Sequence, residues 1–544
     1  MTIKPKTDFD AIVIGAGFSG LYMLHKLRND GYSVKVFEAG DNVGGTWYWN
    51  RYPGARCDVE SIFYSYTFSE KITQEWTWSS RFAEQPEILN YINYVADELD
   101  LRKDIQFKTK VESAHYDEQN NLWRITLEDQ SIVTSHYFIT GVGALSSANV
   151  PKMKGLEDFK GEWYHTGRWP KEKVSFEGKK VGVIGTGSTG VQVIPSVAHK
   201  VKELFVFQRT PQYTTPAQNH PLNPKYVEET KANAHELKLL RTKTPMGTQQ
   251  MLGERSAMDD SEEERLKNFD ASWRKGAQAF PFTYNDIPLN PESSKAAAAF
   301  IQSKIREMVK NPETATVLTP DYYYGARRPI IDTNYFETYN RENVKLVNVK
   351  KDPIQQITAS GIQTTNQHYE LDMIIFATGY DAITGSLFKI DIRGKGGISL
   401  KEKWENGARV RTYLGLSTAG FPNMFMITGP ESPSVHTNMV ASIEQHVEWI
   451  SDFINHANTQ EIDVIEANET DELEWSKLCK DIADATLFTK VDSWFIGSNV
   501  EGKPKPKGFL FYLAGLHQYR QICNEIAAKG YQGFILTKSA NVVG

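Results

Sequence analysis

The sequence predicts an α/β protein with two Rossmann-like dinucleotide-binding domains and a helical insertion. A short apolar run followed by a glycine-rich loop and a helical pattern occurs twice, beginning at Asp10 and again at Lys180. A long charged stretch with helical periodicity, residues 219–325, follows the second copy. The chain has 544 residues. At about 150 residues per domain, this length allows three or four domains.

The composition is that of a globular protein and excludes several other classes. Hydrophobic residues make up 40% of the chain and charged residues 24%, which excludes a disordered, collagen-like or coiled-coil protein. The formal net charge of -6 gives no broad positive field, so neither nucleic acid nor a membrane is an expected partner. Three scattered cysteines, no C-x-x-C motif and no apolar leader indicate a cytoplasmic protein without a metal site. The oligomeric state stays open.

The first nucleotide-binding unit begins with a buried strand at 10–14. The loop Gly15 to Gly20 follows, and apolar residues at helical spacing continue to Gly31. The next strand, 33–37, ends at Glu38. Glycines in such a loop let backbone N–H groups approach a pyrophosphate at the helix N-terminus. A carboxylate at the strand end accepts from ribose hydroxyls and would repel a 2′-phosphate, so this unit predicts a dinucleotide without that phosphate.

The second unit repeats the pattern but ends in a residue of opposite charge. Strand 181–184 leads into the loop Gly185 to Gly190, and strand 204–207 is followed by Arg209. A guanidinium at this place binds a 2′-phosphate, which predicts NADPH. Two simpler interpretations stay open: the glycines could serve only tight turns, and Arg209 could be an ordinary surface arginine.

The rest of the chain predicts the domain organisation. Cap patterns such as Asn290-Pro291 indicate helices in the insertion, and strand patterns resume at 344–347 and 373–376. We therefore expect an FAD-binding domain at 1–145 and 385–544, an NADP-binding domain at 146–218 and 329–384, and a helical insertion at 219–328.

Two longer segments identify a family. Phe159 to Pro170 matches the pattern F-x-G-x-x-x-H-x-x-x-W-P, and Gly44 to Asp58 contains GGTW and YPG without gaps. Both segments resemble fingerprints of type I Baeyer–Villiger monooxygenases, and the resemblance covers nearly the whole chain. The absence of C-x-x-C excludes a disulfide reductase. An N- or S-oxygenating flavin monooxygenase and a nucleotide-sensing protein that has lost catalysis remain alternatives.

The resemblance implies an enzyme that uses FAD, NADPH and O2. It would oxidise aryl, bulky or cyclic ketones to esters or lactones through a C4a-peroxyflavin. Arg328 matches the family's catalytic arginine, whose fixed positive charge suits an anionic reaction centre. Asp58 would pair with Arg328 and set its position; a plain structural ion pair is the alternative.

The glycine loops and the resemblance together assign cofactor contacts. The FAD contacts are Gly15, Gly17, Ser19, Gly20, Glu38, Thr46, Trp47, Tyr48, Trp49, Asp58, Tyr64, Val111 and Met439. The NADP contacts are Arg56, Cys57, Thr186, Gly187, Ser188, Thr189, Gly190, Gln192, Arg209, Thr210, Arg327, Arg328 and Trp494. Arg327 departs from the family pattern, in which lysine is usual, so its effect on cofactor preference stays open.

Three further assignments are less specific. Ser434, Val435 and His436 lie in a loop of the longer form seen in relatives that act on aryl and steroid ketones, and are expected to line the substrate pocket. His436 would make that pocket more polar, or would point to solvent. His165, in the first fingerprint, would couple domain movement to cofactor binding, or would be a structural histidine; it is not expected to be catalytic. Trp494 would lie over the nicotinamide side, or would be a core aromatic.

Overall fold

The computed structural model describes residues 6–496, 500 and 502–538. The ends of the predicted first domain, residues 1–5 and 539–544, lie outside these ranges. In chain order the strands are β1 Phe9–Ile14, β2 Val34–Phe37, β3 Ile105–Gln106, β4 Val111–Asp117, β5 Leu122–Leu127, β6 Ile132–Thr140, β7 Glu162–His165, β8 Lys180–Ile184, β9 Glu203–Gln208, β10 Thr214–Pro216, β11 Ile330–Asp332, β12 Val344–Asn348, β13 Ile354–Thr358, β14 Gly361–Thr364, β15 His368–Glu370, β16 Met373–Phe376, β17 Asp391–Arg393, β18 Met424–Met426, β19 Val464–Ala467 and β20 Phe534–Thr537.

The α-helices lie between these strands and in the insertion. They are α1 Phe18–Asn29, α2 Thr46–Trp49, α3 Glu70–Glu75, α4 Gln85–Glu98, α5 Ser188–Ala198, α6 Pro224–Ala232, α7 Ala234–Lys243, α8 Glu262–Lys275, α9 Pro291–Met308, α10 Pro312–Leu318, α11 Tyr335–Thr338, α12 Thr384–Leu387, α13 Leu400–Lys403, α14 Met439–Thr459, α15 Glu469–Asp484 and α16 Leu516–Ala528. Short 3₁₀ turns include Ser434–His436 and Trp494–Ile496. No helix within the described residues combines the length and the apolar composition needed to cross a membrane.

Two sheets carry the two glycine loops. The first has the order β17-β4-β5-β6-β1-β2-β3, with β18 also paired to β6. The second has the order β12-β9-β8-β16-β7 and all its pairs are parallel. In each sheet the loop follows a central strand, β1 or β8, and opens a helix, α1 or α5. The predicted α/β class with two Rossmann-like units is confirmed, whereas the predicted domain limits stay a prediction.

The first sheet separates two hydrophobic clusters. Ala11 and Val13 of β1 pack with residues of α1, α4 and α14, whereas Ile12 and Ile14 pack on the opposite face with residues of β18. This alternation follows from the two-residue period of a strand. Because both faces are covered, β1 contains no polar residue after Asp10, which is why it is recognisable in the sequence.

The insertion shares a core with the second sheet. Strand β10 precedes the insertion and strand β11 follows it, and the two strands pair in parallel. Phe269 of α8 and Ile301 of α9 belong to the same hydrophobic cluster as Val183 of β8. The helix α9 begins as the sequence predicts, since the Asn290 side chain accepts from the N–H of Glu292 and Pro291 occupies the first turn. The insertion is therefore anchored to the second nucleotide-binding unit.

Candidate active site

The first glycine loop leaves no room for larger residues. Gly15 has a φ of +98°, and a Cβ atom there would lie 2.7 Å from the carbonyl oxygen of Gly141. A Cβ atom at Gly20 would lie 1.8 Å from the carbonyl oxygen of Gly15. Gly17 precedes α1 and gives it no side-chain cap, so the first N–H groups of α1 are available to phosphate oxygens.

Glu38 is fixed beside this loop. It is 5% exposed, and its two carboxylate oxygens accept from the N–H groups of Ala16 and Gly40, each at 2.7 Å. Burial raises the pKa of the Glu38 carboxyl, and these two N–H donors oppose the rise. Each oxygen keeps a second lone pair, as a ribose-binding carboxylate needs.

Most of the other predicted FAD residues gather around the same loop. Gly45 has a φ of +52°, and a Cβ atom at Gly17 would lie 3.2 Å from its Cα. The short helix α2 begins directly after Gly45 and brings Thr46, Trp47, Tyr48 and Trp49 to the loop. The indole N–H of Trp47 donates to the hydroxyl of Tyr64 at 3.1 Å. The predicted residues Val111 and Met439 lie on the other face of β1, in the cluster of Ile14.

The second glycine loop shows a similar close approach and one open position. A Cβ atom at Gly185 would lie 2.5 Å from the carbonyl oxygen of Ala377, and one at Gly190 would lie 2.3 Å from that of Gly185. A Cβ atom at Gly187 would meet no atom within 4 Å. Gly187 also leaves the N-terminus of α5, at Ser188 and Thr189, without a side-chain cap. The loop therefore fits a pyrophosphate at Gly187.

Arg209, Thr210 and Arg327 lie in one region at the end of β9. The hydroxyl of Thr186 donates to the carbonyl of Thr210 at 3.1 Å, and Arg209 is exposed beside it. The guanidinium of Arg327 lies 4.3 Å from the ring centre of Tyr322. Tyr322 in turn donates to Gln212 at 3.0 Å, and the Gln212 amide reaches the carbonyl of Thr210 at 3.4 Å. Contacts through Thr210, Gln212 and Tyr322 thus connect the end of β9 to Arg327.

Asp58 and Arg328 form a partly buried ion pair. The Nε and Nη2 groups of Arg328 donate to one oxygen of Asp58 at 2.9 and 2.7 Å. Its Nη1 donates to the backbone carbonyl of Val435. A guanidinium has five N–H donors. Within the part of the chain that the structure describes, these three bonds leave two N–H groups free for another oxygen.

The contact with Val435 connects the predicted catalytic arginine to the predicted substrate loop. Ser434 is buried, and its hydroxyl lies 3.4 Å from the carbonyl of Thr428. His436 is partly buried with its ring 5.6 Å from that of Phe488. Burial, and next the charge of Arg328, lower the pKa of His436 to about 4, so the ring is neutral at pH 7. The predicted loop is thus held against Arg328 by a backbone atom.

The second fingerprint segment, residues 44–58, is hydrogen-bonded to α5 through the side chain of Gln192. The Gln192 side-chain amide donates to the carbonyl of Arg56 at 2.9 Å, and its oxygen accepts from the hydroxyl of Tyr52 at 2.8 Å. The guanidinium of Arg56 donates to the backbone carbonyl of Phe82 and to the carboxylate of Glu84, and its predicted contact with NADP stays a prediction. This contact between the two nucleotide-binding units was not foreseen, because spacing along the chain carries no signal for it.

Cys57, Trp494 and His165 are placed as follows. Cys57 is buried, and burial raises the pKa of its thiol. Trp494 packs with its ring centre 4.4 Å from that of Phe495, in the hydrophobic cluster that contains Val435. His165 is 2% exposed, and its Nδ1 accepts from the N–H of Gly167 at 3.0 Å. Burial, with a smaller contribution from Arg168, lowers the pKa of His165 to about 4. The functional roles of these three residues stay predictions.

Comparisons with known proteins show relatives along the whole chain. A Baeyer-Villiger monooxygenase of Pseudooceanicola batsensis is 44% identical, with 98% of each chain covered. Phenazine N-monooxygenase PhzNO1 of Lysobacter antibioticus is also 44% identical, with the same coverage.

Solved structures share the fold. Cyclohexanone monooxygenase of Rhodococcus sp. Phi1, bound to NADP+, has a TM-score of 0.95 and 44% identity, covering 98% of this chain and 100% of that chain. The monooxygenase OTEMO, in complex with FAD and NADP, has a TM-score of 0.94 and 39% identity, with the same coverage. A model of the flavin-binding monooxygenase-like family matches residues 10–309. The chain belongs to the flavin-binding monooxygenase-like family, and the expected relationship to Baeyer–Villiger monooxygenases is confirmed.

Proposed function

We propose that this chain is an FAD- and NADPH-dependent Baeyer–Villiger monooxygenase. One ketone, one O2, one NADPH and one proton give an ester or lactone, one water and NADP+. One oxygen atom is inserted between the carbonyl carbon and a neighbouring carbon, and the other leaves as water. The observation that carries the proposal is the Arg328 guanidinium, which keeps two free N–H groups while Asp58 and Val435 fix its position.

The two glycine loops would hold the cofactors. Gly17 and Glu38 would bind the pyrophosphate and ribose of FAD, while Gly187 and Arg209 would bind the pyrophosphate and 2′-phosphate of NADPH. When bound, FAD supplies oxygen activation and NADPH supplies the hydride.

Arg328 would stabilise negative charge during oxygen insertion. The carbonyl oxygen of the ketone gains negative charge when its carbon is attacked, and a fixed cation lowers the energy of that state. Arginine suits this role because it stays protonated at any pH of interest. Asp58 would be a positioning residue, since two N–H groups of the guanidinium donate to the same Asp58 oxygen.

Product analysis tests the reaction type. We expect the purified protein, with FAD and NADPH, to convert phenylacetone to an ester detected by mass spectrometry. A thioether in a parallel reaction measures S-oxygenation. Sulfoxide without any ester from phenylacetone or cyclohexanone would contradict the proposal. Phenazine should be included as a third substrate, because the similarity to PhzNO1 favours N-oxygenation as the second candidate activity.

We also propose that the protein acts in the cytoplasm, a reducing compartment. Cys57, Cys479 and Cys523 are all free and buried, which supports a compartment without disulfide formation. Cell fractionation with an antibody to the chain tests this placement, and recovery in an oxidising compartment would contradict it.

A further inference from the structure

We infer that the substrate cavity selects ketones that carry a neutral hydrogen-bonding group, such as a hydroxyl, at a distance from the carbonyl. This inference rests on the proposed function and adds a substrate class to it. The residues that carry it are Gln250 and Gln278, which line the cavity beside Arg328.

The cavity begins at the proposed catalytic pair. Asp58, Arg328 and Asn438 line it at the fingerprint segment, at the end of the insertion and at the start of α14. A ketone whose oxygen meets the free N–H groups of Arg328 would therefore extend into this cavity.

One part of the cavity wall is apolar. Phe63 and Phe82 are buried in the first unit, and Met246 and Phe282 from the insertion also line the cavity. This part suits the carbon skeleton of a ketone, since removing apolar surface from water is favourable.

Another part of the wall is formed by side chains with amide, hydroxyl or carboxylate groups, and some of these are already engaged. Glu60 accepts from Arg81 at 2.7 and 2.9 Å, and the Gln249 amide donates to Glu60 at 2.9 Å. Both oxygens of Glu60 are thus engaged, and Gln249, whose side chain is exposed, uses one N–H group in this contact.

Gln250 and Gln278 differ from Gln249 in this respect. Both are partly buried and line the cavity. Over residues 6–496, 500 and 502–538, no protein group bonds either side-chain amide. Gln250 donates only its backbone N–H, to the hydroxyl of Thr248. A partly buried amide without a partner loses free energy unless water or a ligand satisfies it.

The amide chemistry defines the ligand group. Each amide offers two donors and an acceptor, which match a hydroxyl or carboxamide. A carboxylate is disfavoured because Glu60 lies in the same wall, and because Arg328, the one cation among the described residues that line the cavity, is paired with Asp58. A wholly apolar pocket would instead disfavour the hydroxyl analogue, because a buried hydroxyl without a partner costs free energy.

A matched pair of ketones tests the inference. Methyl hexyl ketone and its terminal-hydroxyl analogue share a skeleton, and ester formation from each is measured with the holoenzyme. We expect kcat/KM to favour the hydroxyl analogue by about tenfold, and the double variant Gln250→Met/Gln278→Met to lose that preference. Calorimetric binding of both ketones to the oxidised holoenzyme should show the same change in the ratio of Kd values.

One control variant and two contrary results separate the possible outcomes. Gln355→Met, on an exposed strand outside the cavity, should keep the wild-type ratio. An unchanged ratio in the double variant, with ester formed from both ketones, would overturn the inference and leave the proposed function standing. A binding preference that depends on the two glutamines, without any ester, would support the inference about the cavity and contradict the proposed function.

Discussion

At the scale of single residues, we expect the positive charge after β9 to discriminate between NADPH and NADH. Arg209 is exposed beside Thr210, and Arg327 reaches the same region by stacking on Tyr322. NADPH carries a 2′-phosphate and NADH does not, so a guanidinium there should strengthen the binding of NADPH and leave that of NADH unchanged.

Arg209→Ala should therefore weaken the binding of NADPH far more than the binding of NADH. We expect a rise of about 10- to 100-fold in KM for NADPH, the effect of losing a charge-assisted hydrogen bond, and little change for NADH. Steady-state oxidation of both cofactors measures this. Lys200→Ala, at an exposed position after α5, should change neither value. An equal rise in KM for NADPH and NADH would contradict the assignment of Arg209 to the 2′-phosphate.

The positions of such residues could be predicted from the local strand–loop–helix order, whereas their cofactor contacts stay predictions. Glu38 and Arg209 each follow the second strand of a unit. The acceptor of the third Arg328 bond could not be predicted, because it is a backbone carbonyl, that of Val435. A carbonyl is present at every residue, so the sequence gives no signal for this contact.

At the scale of elements, the segment before Asp58 packs tightly against α5. Gly54 has a φ of +81°, and a Cβ atom there would lie 2.1 Å from Oγ of Ser196 and 2.5 Å from the carbonyl oxygen of Gln192. The close approach allows Gln192 to bind Tyr52 and the Arg56 backbone. These contacts fix the segment that leads to Asp58, the proposed positioning residue, against the helix that follows the second glycine loop.

Gly54→Ala should separate this segment from α5. We expect it to lower the urea midpoint and to slow flavin reduction by NADPH, because the segment must move away from Gln192. Gly178→Ala is the matched control: its φ is +70°, but a Cβ atom there meets nothing within 4 Å. That control isolates the backbone strain of about 1–2 kcal/mol. Equal effects in both variants would show that the contact with α5 is unimportant.

The elements themselves were largely predictable, whereas their contacts were not. The strands at 10–14, 181–184 and 373–376 have continuous apolar runs, and each is a strand buried in a sheet. The cavity wall formed by Met246, Gln250 and Gln278 was not foreseen, because it depends on how the insertion packs against residues of the first unit.

At the scale of the whole molecule, two buried histidines link stability to pH. His165 and His446 are 2% and 0% exposed, and their Nδ1 atoms accept from the N–H groups of Gly167 and Thr428. Burial, and next a nearby arginine, lower the pKa of His165 to about 4 and that of His446 to about 3. Both rings must therefore stay neutral in the folded protein.

Stability should fall as the pH is lowered from 7 towards 4. These histidines take up protons near pH 6.5 in the unfolded chain, but in the folded chain only near pH 4 at His165 and near pH 3 at His446. Each histidine's contribution to stability is therefore complete above pH 6.5 and is lost progressively as the pH falls from 6.5 to its folded pKa. The loss approaches about 3 kcal/mol for His165 and about 5 kcal/mol for His446 once the pH is below their folded pKa values. Urea midpoints at pH 7 and pH 5 measure it. His446→Gln should reduce the difference between them, and exposed His220→Gln should not. An unreduced difference in His446→Gln would contradict the assignment.

The central claim about the whole enzyme is that Arg328 acts in oxygen insertion and not in flavin reduction. Two assays on one preparation of Arg328→Ala test this claim. Flavin reduction by NADPH should stay within about threefold of the wild-type rate, while ester formation should fall by at least about 100-fold, the cost of removing one charge-stabilising donor. Arg328→Lys should recover part of the ester yield, since it restores a cation but not the fork held by Asp58 and Val435. Ester formation by Arg328→Ala near the wild-type level would contradict the proposed role of this side chain.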